Sequence, residues 1–312
     1  MGKYLVTGAA GFIGSALAAR LVENGHDVVT IDNLTTGYKE NIPHGCHFIE
    51  GDVHDSRIVD RAYKNNRFDA IYHVAGQSSG EISFENPIYD LEANTASALL
   101  LLNRAKDTGC KKFIYASTMS VYGDENECPV TETSEVKPKS FYAVGKLASE
   151  HYMRIYTQFG IKSTALRINN VYGPGQNLNN LQQGMASIFV AQAIRTGEIH
   201  VMGAKERFRD FVYIEDVVDA FTAAEAGSEK NLYNVYNIAT NVKTTVEELV
   251  SEIVKNIPSN VTVKYEGSTP GDQFGIYCSY GLIENSLGWM PKVQLCEGIK
   301  VMVEWALKKN TI

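Results

Sequence analysis

The chain has 312 residues, 44% of them hydrophobic and 21% charged, with a formal net charge of −7. That length bounds about two domains with a large core, and the composition is that of a soluble globular protein, not a fibrous or disordered one. The acidic balance speaks against a nucleic-acid surface, and no apolar run approaches the ~20 residues of a membrane span.

Lys3–Thr7 is apolar and partly β-branched and reads as a buried strand. Gly8, Gly11 and Gly14 follow it three residues apart, with Phe12 and Ile13 between the last two. A helical pattern then runs over residues 15–23. Glycines in such a turn permit backbone angles and close approaches that a Cβ blocks. The helix start offers unpaired N–H groups and partial positive charge, which together favour a pyrophosphate. A second strand over 27–31 ends at Asp32. An acid at that tip can bind both ribose hydroxyls of an adenosine and would repel a 2′-phosphate, so the pattern selects NAD over NADP. The plainer use of Asp32 is a turn or helix cap.

A polar turn beginning at Asn33 leads to a third strand over 46–50, closed by Gly51, Asp52 and Val53. Asp52 can accept from an adenine amino group or cap a helix over 53–65. Strand four covers 68–74 and runs into Ala75 and Gly76, small enough for close approach of a cofactor. His73, on that strand, reads as a structural histidine. Residues 77–84 form a polar loop holding Ser78 and Ser79. It leaves the carboxyl end of a strand, where doubly wound sheets bind ligands. Residues 87–108 read as one long helix, too broadly apolar for a single buried stripe. A second helix or a partner subunit is expected on its other side.

Strand five covers 112–117 and delivers Ser117 and Thr118. Tyr142 and Lys146 stand four apart at the start of a helix that continues to 159, which stacks them on one face. Strand six covers 162–168. Six strands alternating with helices predict an α/β fold, a doubly wound parallel sheet over 1–168 with helices on both faces. Beyond 168 the alternation breaks. Residues 169–312 read as a smaller α/β cap, interleaved with returns to the main sheet between 206 and 240. The five cysteines lack a CxxC pair and the seven histidines lack ligand spacing. Reduced thiols and no metal are therefore expected. The first apolar segment is the fold's own strand and not a signal peptide, so a cytoplasmic protein is expected.

A tyrosine one helical turn from a lysine is an acid–base device. Free tyrosine titrates near 10, and lowering it to about 7 takes roughly 4 kcal/mol of differential stabilisation. A neighbouring ammonium and a nicotinamide's positive ring both favour the phenolate. Thr118 can hydrogen-bond the same substrate hydroxyl. Alone, Tyr-x-x-x-Lys is a common accident of helix surfaces. After a dinucleotide fingerprint and a Ser-Thr strand end it reads as catalytic.

These pieces together resemble the extended short-chain dehydrogenase/reductases of nucleotide-sugar epimerase/dehydratase type, over essentially the full length. The matching residues are Gly8, Gly11, Gly14, Asp32, Gly51-Asp52-Val53, the strand end 73–76 and Asn94. They continue with Ser117-Thr118, residues 121–123, Tyr142, Lys146, Asn170, residues 208–212, Pro270-Gly271-Asp272 and residues 287–289. The resemblance implies a Rossmann-type domain holding NAD tightly, with a nucleoside-diphosphate sugar beneath the cap. It implies that Tyr142 takes the proton of the sugar's 4-hydroxyl, that Lys146 holds the nicotinamide ribose and that Thr118 shares the hydroxyl. Asn170 and Arg209 would hold the diphosphate, the arginine by a charge-assisted fork. The plainer use of Arg209 is an ion pair with Asp210 or Glu206. Ser78, Ser79 and Asp272 fall to the substrate. Phe12, Ile13, Asn33, Asp52, Val53, Ala75, Gly76, Asn94 and Ser117 fall to the cofactor. A homodimer is implied, pairing the helices over 87–108 and 142–159 of two subunits.

Two departures from the family pattern matter. Thr269 stands where many members carry a diphosphate-binding arginine, leaving Lys205 or Arg207 as substitute cations. Met119 and Ser120 follow Thr118, where dehydratases have Asp-Glu and decarboxylases Glu, so both of those reactions are disfavoured. The leading expectation is a nucleotide-sugar 4-epimerase that oxidises C4, lets the 4-keto sugar turn and returns the hydride. The alternatives are a 4-dehydrogenase that releases the ketone, and an NAD-binding regulatory protein without turnover.

Overall fold

Strands β1 (Lys3–Thr7), β2 (Asp27–Asp32), β3 (His47–Glu50), β4 (Ala70–His73), β5 (Lys112–Thr118) and β6 (Lys162–Ile168) pair in parallel in the computed structural model. The structure describes residues 1–124, 127–182, 184–227, 231–267 and 274–310. Among them, seven further strands follow: β7 (Asn170–Tyr172), β8 (Glu198–Met202), β9 (Phe208–Arg209), β10 (Phe211–Tyr213), β11 (Tyr233–Ile238), β12 (Thr244–Thr245) and β13 (Thr262–Glu266). Strand β11 joins the outer edge of β6, giving a seven-stranded sheet of order β11-β6-β5-β4-β1-β2-β3. The fold is a Rossmann-type doubly wound sheet. Strand order reverses between β1 and β4, and ligands bind such sheets at the carboxyl ends flanking that reversal.

The helices of the described residues are α1 (Phe12–Glu23), α2 (Ser56–Tyr63), α3 (Gly80–Glu85), α4 (Pro87–Leu91), α5 (Ser97–Thr108), α6 (Phe141–Tyr156), α7 (Met185–Thr196), α8 (Ile214–Ala226), α9 (Val246–Asn256), α10 (Gly281–Leu287) and α11 (Leu295–Asn310). Strand periodicity sorts β1 between two core layers. Tyr4 and Val6 pack with Leu17, Leu21, Val217 and Phe221. Leu5 packs with Ile31, Ile71, Leu101, Phe113 and Met153. Both faces of the sheet are therefore dry, which explains the nearly unbroken apolar runs of its strands. Among the described residues, no helix is long and apolar enough to cross a membrane.

Several elements differ from the sequence expectation. Helix α1 begins at Phe12 and not at residue 15, because Gly11 is already its N-cap. The helix expected over 53–65 shrinks to α2. Its cap is Asp55, whose Oδ1 accepts from Arg57 N at 2.9 Å, so Asp52 is not the cap. The polar loop over 77–84 winds into α3, because the Ser79 hydroxyl accepts from Ile82 N and caps it. The single helix expected over 87–108 is α4, a π turn over Glu92–Ala96, and α5. The π turn adds a residue to one turn, a distortion common near functional sites. Asn94 and Thr95 lie buried within it. Strands β8 and β13, which pair in parallel, have no counterpart in the sequence expectation.

The first turn depends on its glycines. Gly8 has a φ of +75°, and a Cβ there would sit 2.7 Å from Ala75 N. A Cβ on Gly14 would collide with the Gly8 carbonyl. His73 is the satisfied core histidine the sequence suggests. Its Nδ1 is hydrogen-bonded to the Thr7 hydroxyl at 2.8 Å and its Nε2 to Ser97 Oγ at 3.1 Å. Burial pushes its pKa down to about 3, with the Lys146 charge adding to the effect, so the ring is neutral. The same Thr7 oxygen accepts from Val74 N and Ala75 N and so ties the end of β1 to the end of β4.

Candidate active site

The carboxyl ends of β1, β2, β4 and β5 converge with the start of α6. At the end of β1, α1 presents an N-terminus whose cap, Gly11, has no side chain to fill it. A helix start leaves its first N–H groups unpaired, so those of the Phe12-Ile13 turn suit an anion. Asp32 is held at the tip of β2. Its Oδ2 accepts from Ala10 N at 2.9 Å and its Oδ1 from Leu34 N at 2.8 Å. An ionised carboxylate has about four acceptor positions, so capacity for two ribose hydroxyls is left. Asn33 and Asp52 come together, with Asn33 Nδ2 donating to Asp52 Oδ1 at 2.7 Å. Val53 is buried beside them. At the far end, a Cβ on Gly76 would collide with Asn94 Oδ1 and lie 3.1 Å from Lys146 Nζ. Asn94 Oδ1 is buried without a hydrogen-bond partner. An open helix start, an acid at the ribose position and an unfilled buried acceptor beside a bare glycine all fit a dinucleotide.

Thr118 ends β5. Its Oγ1 accepts from Ser120 N at 3.2 Å. Tyr142 lies in the first turn of α6, which is set by Ser140 capping Ala143 N at 3.1 Å. Lys146 lies one turn on, buried, and its Nζ donates to Ala116 O at 2.9 Å. That ammonium is 4.8 Å from the Tyr115 ring centroid and 5.9 Å from that of Tyr142. Burial pushes the Lys146 pKa down to about 8, against the Asp90 carboxylate, which favours the charged form. Burial pushes the Tyr142 pKa up to about 12. The hydrogen bond with Thr118 opposes that rise, and Asp90 adds to it. The sequence argument asks for a tyrosine near 7. The chain's own groups move it the other way, because desolvation outweighs the one hydrogen bond that favours the phenolate.

The remaining expected residues divide. The Ser117 hydroxyl is turned to Glu150, donating to Oε1 at 2.5 Å. Adjacent strand residues face opposite ways, so Ser117 and Thr118 cannot both aim their hydroxyls into one cleft. Ser79 is buried as the α3 cap, while Ser78 beside it is exposed. Asn170 Nδ2 donates to Asp210 O at 3.2 Å. Arg209 is buried, its Nη1 donating to Phe208 O at 2.8 Å. Burial, with Arg207 as a like charge, pushes its pKa down to about 10. The Asp210 carboxylate points elsewhere: it accepts from Thr240 N and Oγ1 at 2.7 Å and from Asn241 N at 3.0 Å. Of the two substitute cations, Lys205 pairs with Glu247 at 2.7 Å on the surface. Arg207 is buried, its Nε donating to Ala204 O at 3.1 Å. Thr269 and Asp272 lie outside the described residues.

Sequence reasoning passes over Asp90, Gln77, Glu150 and Arg167. The Asp90–Asn94 and Lys146–Glu150 spacings of four are visible signals. Their partners on other elements are not.

The fold and this cleft define a dinucleotide-dependent protein of extended short-chain dehydrogenase/reductase form. The sequence model of the "NAD dependent epimerase/dehydratase family" matches residues 4–239. The chain is 35% identical over 308 residues to a putative UDP-glucose 4-epimerase of Methanocaldococcus jannaschii, covering 98% of this chain and 99% of that one. The structure of UDP-glucose 4-epimerase from Thermotoga maritima with UDP-glucose superposes with a TM-score of 0.93 at 35% identity, covering 99% of each chain. That of Thermus thermophilus UDP-glucose 4-epimerase in complex with NAD gives 0.88 at 34% identity, covering 97% of this chain and 98% of that one. The chain belongs to the NAD dependent epimerase/dehydratase family, and its cofactor is NAD.

Proposed function

We propose that this protein is a 4-epimerase of a nucleoside-diphosphate sugar. The observation that carries the reading is the Thr118–Tyr142–Lys146 set at the mouth of the dinucleotide cradle, with Met119 and Ser120 after the threonine. A carboxyl group is needed there to move a proton from a neighbouring carbon, and neither residue has one. The similarity to UDP-glucose 4-epimerases supports UDP-glucose as the first substrate to test. In this reading NAD sits on residues 1–168 with β11, and the sugar lies under residues 169–312.

NAD held in this cradle would supply the acceptor for the C4 hydride and the source of its return. Tyr142 takes the proton of the 4-hydroxyl and returns it. Thr118, hydrogen-bonded to the phenol, holds the same oxygen. Lys146, fixed by the Ala116 carbonyl, stabilises the phenolate through charge. Arg209 and Asn170 hold the diphosphate while the 4-keto sugar turns, so the hydride returns to the other face.

The site works in a homodimer in this reading. Phe84, Ile88 and Leu91 are 61%, 66% and 54% exposed, and Phe141 and Val144 on α6 are half bare. The Phe84 and Phe141 rings touch at 5.5 Å between centroids, so α3, α4 and α6 share one apolar face. A second copy covers such a face isologously. Light scattering at micromolar concentration should give twice the chain mass of 34.4 kDa. A monomer would remove the dimer from this reading.

The test of the reaction uses UDP-glucose carrying deuterium at C4. Epimerisation gives a product inverted at C4 that keeps the label, with no added NAD and no lasting reduction of the nicotinamide. Label left on the nicotinamide with a 4-keto sugar in solution would replace the epimerase by a dehydrogenase.

A further inference from the structure

Asp90 is a buried carboxylate that the mechanism above does not use. It lies on α4, one turn before Asn94. Its Oδ1 accepts from Gln77 Nε2 at 2.8 Å and from Asn94 Nδ2 at 3.1 Å. Its Oδ2 is buried with no hydrogen-bond partner. That oxygen faces Gly145: a Cβ there would lie 3.6 Å from Asp90 Oδ2 and 3.1 Å from Thr95 Oγ1. Gly145 is the residue before Lys146, so α4 presses its carboxylate on the catalytic helix where the lysine departs. Across Gly76, Asn94 Oδ1 and Lys146 Nζ approach the same point.

Hydrogen bonding does not explain a carboxylate at this position. An asparagine would accept from Gln77 and Asn94 equally well through its one oxygen. A second, unpartnered and buried oxygen is costly, and it is tolerated where its charge is used. A neutral carboxylic acid would place an O–H where no acceptor is paired with it. We propose that Asp90 is a positioning residue acting by charge: it keeps Lys146 protonated in a dry site, and so sets the pH up to which that lysine grips the nicotinamide ribose. This rests on the reading of Lys146 as a cofactor-holding residue.

The other groups facing the Lys146 ammonium are Tyr142 on its own helix, Tyr115 on β5 and His73 on β4. Burial pushes the Tyr115 phenol up and the His73 imidazole down, so both stay neutral through the physiological range. Asp90 is the counter-charge that favours the ammonium against desolvation, which has already brought Lys146 to about 8. The same charge opposes a Tyr142 phenolate. Asp90 therefore trades some ease of ionising the tyrosine for a lysine that stays charged.

Removing the negative charge lowers the Lys146 pKa, so the ammonium is lost at lower pH. The experiment loads the full-length protein with NADH and chases it with excess NAD, following NADH fluorescence from pH 6 to 10. In the unmutated protein, release should accelerate as pH rises through about 8, and Lys146→Met should abolish that rise. Asp90→Asn, which preserves both hydrogen bonds to Oδ1, should move the rise down by about 1 pH unit, the lower end of the usual effect of an adjacent opposite charge. Asp90→Ala should move it the same way, and serves if the asparagine variant does not fold. A rise that stays in place in both folded variants overturns the proposal, as does one that survives Lys146→Met. The readout uses no sugar, so it stands apart from failure of the epimerase reading, which turnover of UDP-glucose reports separately.

Discussion

Tyr142→Phe should bind NAD and nucleotide sugar as the unmutated protein does, yet turn over at least about 10²-fold more slowly, the scale of one positioned acid–base group. Phenylalanine keeps the ring and its packing and deletes only the oxygen that meets Thr118. Because burial holds the phenol at about 12, the reactive phenolate is a small fraction at neutral pH in the protein alone. Below that pKa the fraction grows tenfold per pH unit, so the unmutated rate should climb with pH. The climb should flatten near 8, where Lys146 loses the proton that stabilises the phenolate. Steady-state turnover from pH 6 to 10 reads both limbs. Thermal shift with NAD and with UDP-glucose shows that binding survives. A phenylalanine variant with near-normal turnover would falsify the acid–base assignment.

Glu150→Ala should destabilise the fold by about 3–5 kcal/mol, the loss that follows when one member of a buried ion pair is removed. The side chains of Glu150 and Arg167 are 2% and 7% exposed, and Arg167 Nη2 donates to Glu150 Oε2 at 2.7 Å. Glu150 holds the guanidinium in its charged form against burial, and Tyr122, accepting from Arg167 Nη1 at 3.0 Å, adds to that. Alanine leaves that charge in the core with one neutral partner. It also releases the Ser117 hydroxyl, and with it the clasp between the end of β5 and α6. The double variant Glu150→Leu, Arg167→Met should lose far less, because no buried charge remains. Urea unfolding at a fixed NAD concentration compares the three proteins. A single alanine variant within about 1 kcal/mol of the parent would mean that water reaches Arg167.

The parts legible in the sequence are those whose determinants lie close together along the chain. The β1–turn–α1 unit, the acid closing β2 and the Tyr142–Lys146 turn each show themselves within one short stretch of chain. Features the sequence does not show depend on partners far away. The family resemblance assigns Ser117 to the cofactor, and nothing near it in the sequence shows where its hydroxyl goes. What turns its hydroxyl aside is Glu150, 33 residues on. Ser79 reads as a ligand-facing loop residue, yet its hydroxyl caps α3. The π turn has no compositional mark, since Glu92–Ala96 would suit an ordinary helix. Asp90 is invisible in the sequence as a charge acting on Lys146, because Gly145 meets it only once α4 lies on α6.

The Thr7 hydroxyl has a consequence for the order in which the protein assembles. It joins β1 to His73, Val74 and Ala75, across separations of 66, 67 and 68 positions. The Gly8 turn rests on the Ala75 backbone at the same place. The glycine turn thus precedes β4 along the chain, and its rear support is complete only once β4 has docked. A nascent chain that ends before His73 carries every glycine of the motif and its contacts with β2, but lacks the Thr7 clasp to β4. Loop-closure entropy over such separations must be offset before the Thr7 clasp forms, which places it after β1 and β4 have paired.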